Sequence, residues 1–569
     1  MRVGGFIRRH ETPGNDVRIR FARRCLHPML RAIARSTDKV VMSADRLARF
    51  GQSSVRRAIV VAAVLLTAAA PSACGRVDHP AATDDRSTTV ISPRPSPAPP
   101  AVPAIDFSAV SVLMNNAVAA HRMPGAVVAV GHGGRLVLHR AYGLRKFAGE
   151  PGLDGVPAPA EPMTEDTIFD LASLTKCLAT ATAVMQLYEQ GKVGFDEPVQ
   201  TYLPGFNEAN DPQRARVTVR MLLTHTSGIA GDIDLRDPWG LDGADKSEGL
   251  RRALTTPLQS LPGEVFRYSD INFILLGALI EEVTGESEDV YVQRNVFAPL
   301  GMDDTRYLPP AKACGPHEIR GAAIAWAPAT DPRAPGTCPT GAWSTSLLPR
   351  IAPTALDEES RADPSRNPDI DRLLRGTVHD PTARRMGGVA GHAGVFSTAR
   401  DLSIYAQALL DRLAGRPSKF PLKQATLQLM TAPEQPGHAA HQLEAANEAA
   451  RRAVLEASNS DSSVPEPFPA ISGQELRGFG WDIDTGHSRP RGLVFPVGSF
   501  GHTGFTGTSI WMDPGSNTYV ILLTNAIHIR GSRPVSDLQG ELATVAAQSL
   551  GLYGSAPPVT PSPPAPRPR

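Results

Sequence analysis

The chain has 569 residues, 41% hydrophobic and 20% charged, enough apolar material for one large core or two closely packed subdomains. Its formal net charge of +1 hides a split: residues 1–57 carry 14 Lys/Arg against 4 Asp/Glu, and the remainder 44 against 53. An acidic body argues against nucleic acid as the main partner.

The leader comes first. Arg56 and Arg57 precede an apolar run from Ala58 to Ala70, which ends in "PSAC" at Cys74. The run is shorter than the roughly 20 residues that span a bilayer, but it suits a signal-peptide h-region. The small residues before Cys74 resemble a bacterial lipoprotein cleavage box, with Pro71 where an aliphatic residue is commoner. Lipidation at Cys74, simple secretion and an uncleaved anchor all export the body to the periplasm or cell envelope. Residues 1–41 are long and irregular for an n-region, so 1–74 reads as a mis-called start plus signal peptide, with Met42 one candidate start. Residues 75–104 are Pro-, Ser- and Thr-rich and read as a stiff tether, and 553–569 as an unstructured Pro-rich tail.

Between them, 105–552 reads as one domain. A helix is predicted around Phe107–His121. Two apolar runs flanking Gly133-Gly134 predict a hairpin. "FDLASLTKCLATATAVMQLYEQG" predicts a helix with Leu178, Ala181, Met185 and Tyr188 on one buried face and Gly191 as its stop. A strand pair is expected around Pro514-Gly515, and a last helix over about Val535–Leu550. Strands at both ends with helices between predict one antiparallel sheet flanked by helices, with an inserted helical subdomain, an α/β (α+β) organisation. Residues 308–375 and 434–474 read as surface insertions. Cys177 reads as a small core residue. Cys314 and Cys338 bracket a loop-like stretch and are candidates for one disulfide in an oxidising compartment.

Ser173 and Lys176 lie three apart at the start of a predicted helix, so they share a face. That spacing can set an ammonium beside a hydroxyl, or it can be an accident of a polar first turn. Two further elements follow in order: Tyr268-Ser269-Asp270 before an apolar helix, and His502-Thr503-Gly504 leading into a strand with the look of an edge. Together they resemble Ser-x-x-Lys, Tyr-x-Asn and Lys-Thr-Gly. The chain resembles the class C β-lactamase-like, penicillin-binding-protein-related serine hydrolases over about Ile105 to Leu552. "LLTHTSGI" (Leu222–Ile229), "VHDPTARRMGGVAGHAGVFSTARDL" (Val378–Leu402) and "GFGW" (Gly478–Trp481) share the resemblance. The second of these points to the exported D,D-carboxypeptidases and a muramoyl-amidase-like branch.

The resemblance implies that Ser173 is the nucleophile and that Lys176 and Tyr268 handle protons. It also implies that the backbone N–H groups of Ser173 and Phe505 receive the oxyanion, and that His502, Thr503, Gly504 and Phe505 line the substrate. Two positions depart from the pattern. His502 stands for Lys, which weakens a fixed positive charge for a substrate carboxylate; esterases and some peptidases of the family tolerate His there. Asp270 stands for Asn, and its carboxylate near Lys176 favours the ammonium form, leaving more of the work to Tyr268. No cofactor or metal is implied. His225 and His392 sit in Gly/Thr-rich loops and read as fixing loop geometry, and His379-Asp380 as orienting a loop near the cleft. His438 and His441 have helical ligand spacing in an insertion and read as solvated. The expected function is an exported serine acyl-hydrolase working through an acyl-enzyme, D,D-carboxypeptidase-like on peptidoglycan peptides. The alternatives are a carboxylesterase of the same family and a catalytically retired binding module.

Overall fold

In a computed structural model, the described residues are 105–326, 338–359, 361, 363–367, 370–459 and 475–555. The leader with Cys74, the tether and the tail from 556 onward lie outside them. No helix among the described residues is long and apolar enough to cross a membrane.

Eight strands form one sheet. In chain order they are β1 (Gly125–His132), β2 (Arg135–Lys146), β3 (Glu161–Pro162), β4 (Leu476–Arg477), β5 (Asp482–Asp484), β6 (Phe500–Thr503), β7 (Ser509–Asp513) and β8 (Thr518–Thr524). Their spatial order is β4-β5-β6-β7-β8-β1-β2-β3, antiparallel throughout. The first strand thus pairs with the last, Val128 opposite Leu522. Gly133 and Gly134 close the β1–β2 hairpin at φ 60° and 83°, the doubly left-handed turn that matches strand twist.

β1 is apolar at nearly every position because both faces are covered. Val127 and Ala129 join the large core with the helices of the body. Ala126, Val128 and Val130 face a second core, built from α1 (Ser108–Ala119) and the C-terminal helix. The body contains a π-helical turn, Lys176–Ala181, which runs into α2 (Thr182–Glu189). It also contains α3 (Asp270–Thr284) and α4 (Ala399–Leu413), and α5 (Ser536–Ser549) is the C-terminal helix. Thr182 Oγ1 donates to Cys177 O at 2.9 Å, five residues back, inside the widened turn.

Several expectations are revised. The Ser173 helix is buried on almost every side, whereas Tyr188 is exposed and stacks on Phe195 at 4.1 Å. Residues 308–375 are not mere surface: Trp343, Leu348 and Ile351 enter the main core, and Arg375 holds Glu161 through two hydrogen bonds of 2.9 and 2.8 Å. The second insertion contains a helix, Gln442–Asn459, whose Ala446 is fully buried and whose Asn447 accepts from Val497 N at 2.7 Å. Cys314 and Cys338 form a disulfide with their Cα atoms 5.7 Å apart. The strand leading from His502-Thr503-Gly504 is internal, since β7 lies between β6 and β8. β6 itself pairs outward with β5 only at Gly501, opposite Asp482. The open edge is therefore short and begins at His502.

Candidate active site

Ser173 lies between a strand end and a helix. Phe169–Asp170 pairs with Val395–Ser397, Asp170 opposite Phe396, so the "GGVAGHAG" loop is brought beside the turn that carries Ser173. Ala172 has φ 47°, a conformation that a non-glycine residue adopts only when its surroundings hold it there. They do: Asp170 Oδ1 accepts from Ala172 N at 2.9 Å, and Oδ2 from His379 N at 2.7 Å. Burial pushes the Asp170 carboxyl up to about 6 against those two bonds.

Lys176 is fully buried. Its Nζ donates to Ser173 Oγ at 2.9 Å and to His392 O at 3.1 Å, and lies 2.7 Å from Asp270 Oδ1. Burial alone would push this ammonium down, but the Asp270 carboxylate and Tyr268 overcome it and hold it above the ordinary lysine range. Lys176 Nζ lies 5.1 Å from the Tyr268 ring centroid, and the phenol faces both Ser173 and Lys176. Burial pushes the phenol up; Lys176 pulls it down and Asp270 pushes it up again, for a net rise. The local sequence explains the placement. Ser269 caps α3, its Oγ accepting from Asn272 N at 3.3 Å, and this leaves Tyr268 before the helix and Asp270 in its first turn.

His225, His487 and His502 surround the Tyr268 ring at centroid distances of 4.4, 5.3 and 6.0 Å. His225 Nδ1 accepts from Ser269 N at 3.1 Å, so its proton is on Nε2. His502 Nδ1 lies 2.7 Å from Thr503 O and must donate, which leaves Nε2 as an acceptor. Burial, then the Arg477 and Lys176 cations, push both histidines far below their usual range. Burial and Arg477 likewise lower His487, against Asp482. Arg477 and its guanidinium are wholly buried over the Phe266 ring at 5.5 Å.

The segment after β6 is tied to the loop that carries Ser173. Thr506 Oγ1 donates to Asp170 O at 2.8 Å and Thr508 Oγ1 to Leu171 O at 3.1 Å. A Cβ on Gly504 would meet Leu171 O at 2.3 Å and Thr508 Oγ1 at 2.2 Å, so only glycine lets these loops touch. Phe505 follows with its ring 74% exposed, stacked on His379 at 5.9 Å. Thr503 closes the ladder opposite Ser509.

Beside Asp270 lies an acidic network that local sequence did not signal. Burial, with the charge and hydrogen bond of Asp270, pushes Asp232 up to about 6. Asp380 pairs with His392 Nε2 at 2.8 Å; despite burial, each holds the other charged, Asp380 low and His392 high. One ligand atom each from Asp270, Asp380 and His392 lies within 4.8 Å of the others. A metal there would have to displace the Lys176 ammonium from Asp270 and the imidazole from Asp380. His438 is half-buried with Nδ1 3.1 Å from Gln442 Oε1, and His441 is exposed.

The structure thus gathers Ser173, Lys176, Tyr268, Asp270 and the His502–Phe505 segment at one place. Sequence reasoning missed the roles of His487, Arg477 and Asp232, and gave His225 only a loop-fixing part; "LLTHTSGI" was its one signal.

The Beta-lactamase family model matches residues 110–539. The chain belongs to the β-lactamase family. Its fold and its standing as a serine hydrolase follow from that membership. Among relatives, an Escherichia coli protein named "Putative D-alanyl-D-alanine carboxypeptidase" is 28% identical over 418 residues, covering 71% of this chain and 78% of that one. A Bacillus subtilis N-acetylmuramyl-L-alanine amidase is 29% identical over 416 residues, with 71% and 78% covered. The unliganded simvastatin synthase LovD of Aspergillus terreus superposes with a TM-score of 0.50 at 21% identity, covering 77% of this chain and 97% of that one; it shows the same fold.

Proposed function

We propose that the chain is an exported serine acyl-hydrolase that forms an acyl-enzyme on Ser173, acting as a D,D-carboxypeptidase on peptidoglycan-derived peptides. The observation that carries this reading is the Ser173 Oγ–Lys176 Nζ hydrogen bond of 2.9 Å, made beside Tyr268, whose ring centroid lies 5.1 Å from the same Nζ. Because Lys176 donates to Ser173 Oγ, the serine's own proton is free to point at the Tyr268 oxygen.

The reactive form pairs a Lys176 ammonium with a Tyr268 phenolate. Ser173 Oγ attacks the carbonyl carbon as its proton passes to Tyr268. The backbone N–H groups of Ser173 and Phe505 receive the oxyanion, each donor worth about 3 kcal/mol. The tetrahedral intermediate collapses as the carbon–nitrogen bond breaks and Tyr268 returns the proton to the leaving amine. Water then attacks the acyl ester and gives a proton through Tyr268 to Ser173. The segment from His502 offers an open strand edge for the substrate backbone.

The substrate class is drawn from the names of the two relatives and from the leader, whose Ala58–Ala70 run and Cys74 support export with a lipid anchor. A neutral His502 favours a second reading, hydrolysis of an ester, because no fixed cation there would hold a substrate carboxylate. The test is intact-mass analysis of the full chain with a fluorescent penicillin, beside Ser173→Ala, with turnover measured on a D-Ala-D-Ala peptide and a p-nitrophenyl ester. A Ser173-dependent adduct with D-Ala release supports the peptidase; turnover of the ester alone moves the assignment to the esterases. No label and no turnover would leave a binding module.

A further inference from the structure

Glu288 is 1% exposed and lies beneath the nucleophile's helix. Thr180, on the π-helical turn that carries Lys176, places its Oγ1 at 2.6 Å from Glu288 Oε1 and 2.7 Å from Gly391 O. A hydroxyl has one proton to give, and a backbone carbonyl can only accept. The Thr180 proton therefore goes to Gly391 O. The 2.6 Å contact is then a hydrogen bond only if the carboxyl is the donor. No ion pair answers Glu288 among the described residues. Lys246 is committed to Glu281 at 2.5 Å and Lys312 to Asp289 at 2.5 Å. Glu281 also accepts from Glu288 N at 2.9 Å, which adds negative charge, while the nearby Tyr307 hydroxyl donates to Ala390 O at 3.5 Å.

We infer that Glu288 is a neutral carboxylic acid that positions Lys176: it donates to Thr180, which frees the Thr180 hydroxyl to hold Gly391 and, next to it, the His392 carbonyl that receives Lys176 Nζ. The inference rests on Lys176 being the partner of the nucleophile, as proposed above. α3 packs closely on the group, since a Cβ on Gly277 of α3 would meet Glu288 Oε2 at 2.6 Å and Gly391 N at 2.9 Å. Burial pushes the carboxyl up to about 7, against Thr180 and Lys246 and with Glu281. Ionisation would leave two acceptors facing one hydroxyl proton, and the Gly391–His392 segment would lose its hold on the helix. Glu288 touches no reacting atom; it is a positioning residue.

The test uses the full chain and Glu288→Gln, whose amide keeps the size of the group and a donor for Thr180 but cannot ionise. Near neutral pH, infrared difference spectra should show a protonated-carboxyl band in the wild type that the variant lacks. The ratio of wild-type to variant acylation rate with a fluorescent penicillin should be flat below about 7 and fall by about fivefold to tenfold above it, the range a net hydrogen bond is worth. Taking the ratio removes the titration of Tyr268 and Asp232, which both proteins share. Should Glu288→Gln fail to fold, Thr180→Val and Thr180→Ser answer the same question. The valine should acylate about fivefold to tenfold more slowly and the serine should restore the rate. No missing band, or parallel pH profiles, overturns the inference. A missing band with no acylation in either protein would instead sink the functional reading.

Discussion

Asp270 is the position at which this site departs most from an Asn-bearing one, and Asp270→Asn tests what the carboxylate does. Asp270 Oδ1 lies 2.7 Å from the fully buried Lys176 Nζ. An opposite charge this close biases a protonation equilibrium by roughly 1.4–4 kcal/mol, or about tenfold to a thousandfold. Asparagine keeps a hydrogen-bond acceptor for the ammonium but removes that bias. The carboxylate also raises the Tyr268 phenol, so its loss makes either residue a better proton acceptor at a given pH. Acylation requires one proton fewer on the Lys176–Tyr268 pair, so the rate should climb with pH. In the variant that climb should start at lower pH, and the rate near neutrality should rise by about tenfold or more. The assay is the second-order rate of labelling by a fluorescent penicillin across the pH range, with melting temperature as the control for folding. A variant slower at every pH with an unchanged midpoint would refute the reasoning and make Asp270 a helper in the proton transfer.

Gly504→Ala forces a Cβ into Leu171 O and Thr508 Oγ1; it should cost about 1–3 kcal/mol of stability, read by denaturant melts, and should slow acylation further by moving Phe505 N away from Ser173. Cys177 is fully buried, and burial pushes its thiol up to about 12 despite Arg477 and Lys176. It should resist iodoacetamide at neutral pH and react only in denaturant, as peptide mass mapping will show. Replacing Cys314 and Cys338 by Ala should lower stability by about 3 kcal/mol, the chain-entropy value for a loop closed over a separation of 24 residues. Thermal melts of the wild type beside Asp170→Asn should show the stability difference moving against the wild type as pH rises from about 4 through 6, a comparison that cancels the opposite contribution of the buried neutral His225 and His502. Buried Asp170 holds its proton up to about 6 in the folded state but releases it earlier when unfolded, so the folded form binds more protons in that window and loses stability as they leave.

Much of the site was legible because its groups sit in short local patterns. Ser173 and Lys176 are three apart, Ser269 marks a cap that places Tyr268 and Asp270 on either side of it, and Gly504 follows two strand residues. The hairpin at Gly133-Gly134 carries its turn chemistry in its own dipeptide. What stayed hidden arrives from afar. Arg477 lies some 300 positions from Lys176 and reaches the histidine ring only through sheet pairing. Glu288 looks like any acidic residue in a first helical turn, and its neutrality follows from a proton count that needs Thr180 and Gly391 in place. The π-helical turn was also illegible, since tertiary packing and the Thr182 hydroxyl define it. Tyr188 was misjudged because helical periodicity cannot distinguish a wholly enclosed helix from one with a single buried stripe.

The pairing of β1 with β8 has a consequence for how the protein comes into being. Ala126 finds its ladder partner at Thr524, almost 400 positions later, and the loop that carries Ser173 waits for Thr506 and Thr508 to be made. A ribosome that has released the Ser173 segment has therefore not yet released the residues that hold its loop in place. The Ser173–Lys176 cluster is assembled only once the C-terminal strands have emerged and closed the sheet, a long-range and slow step.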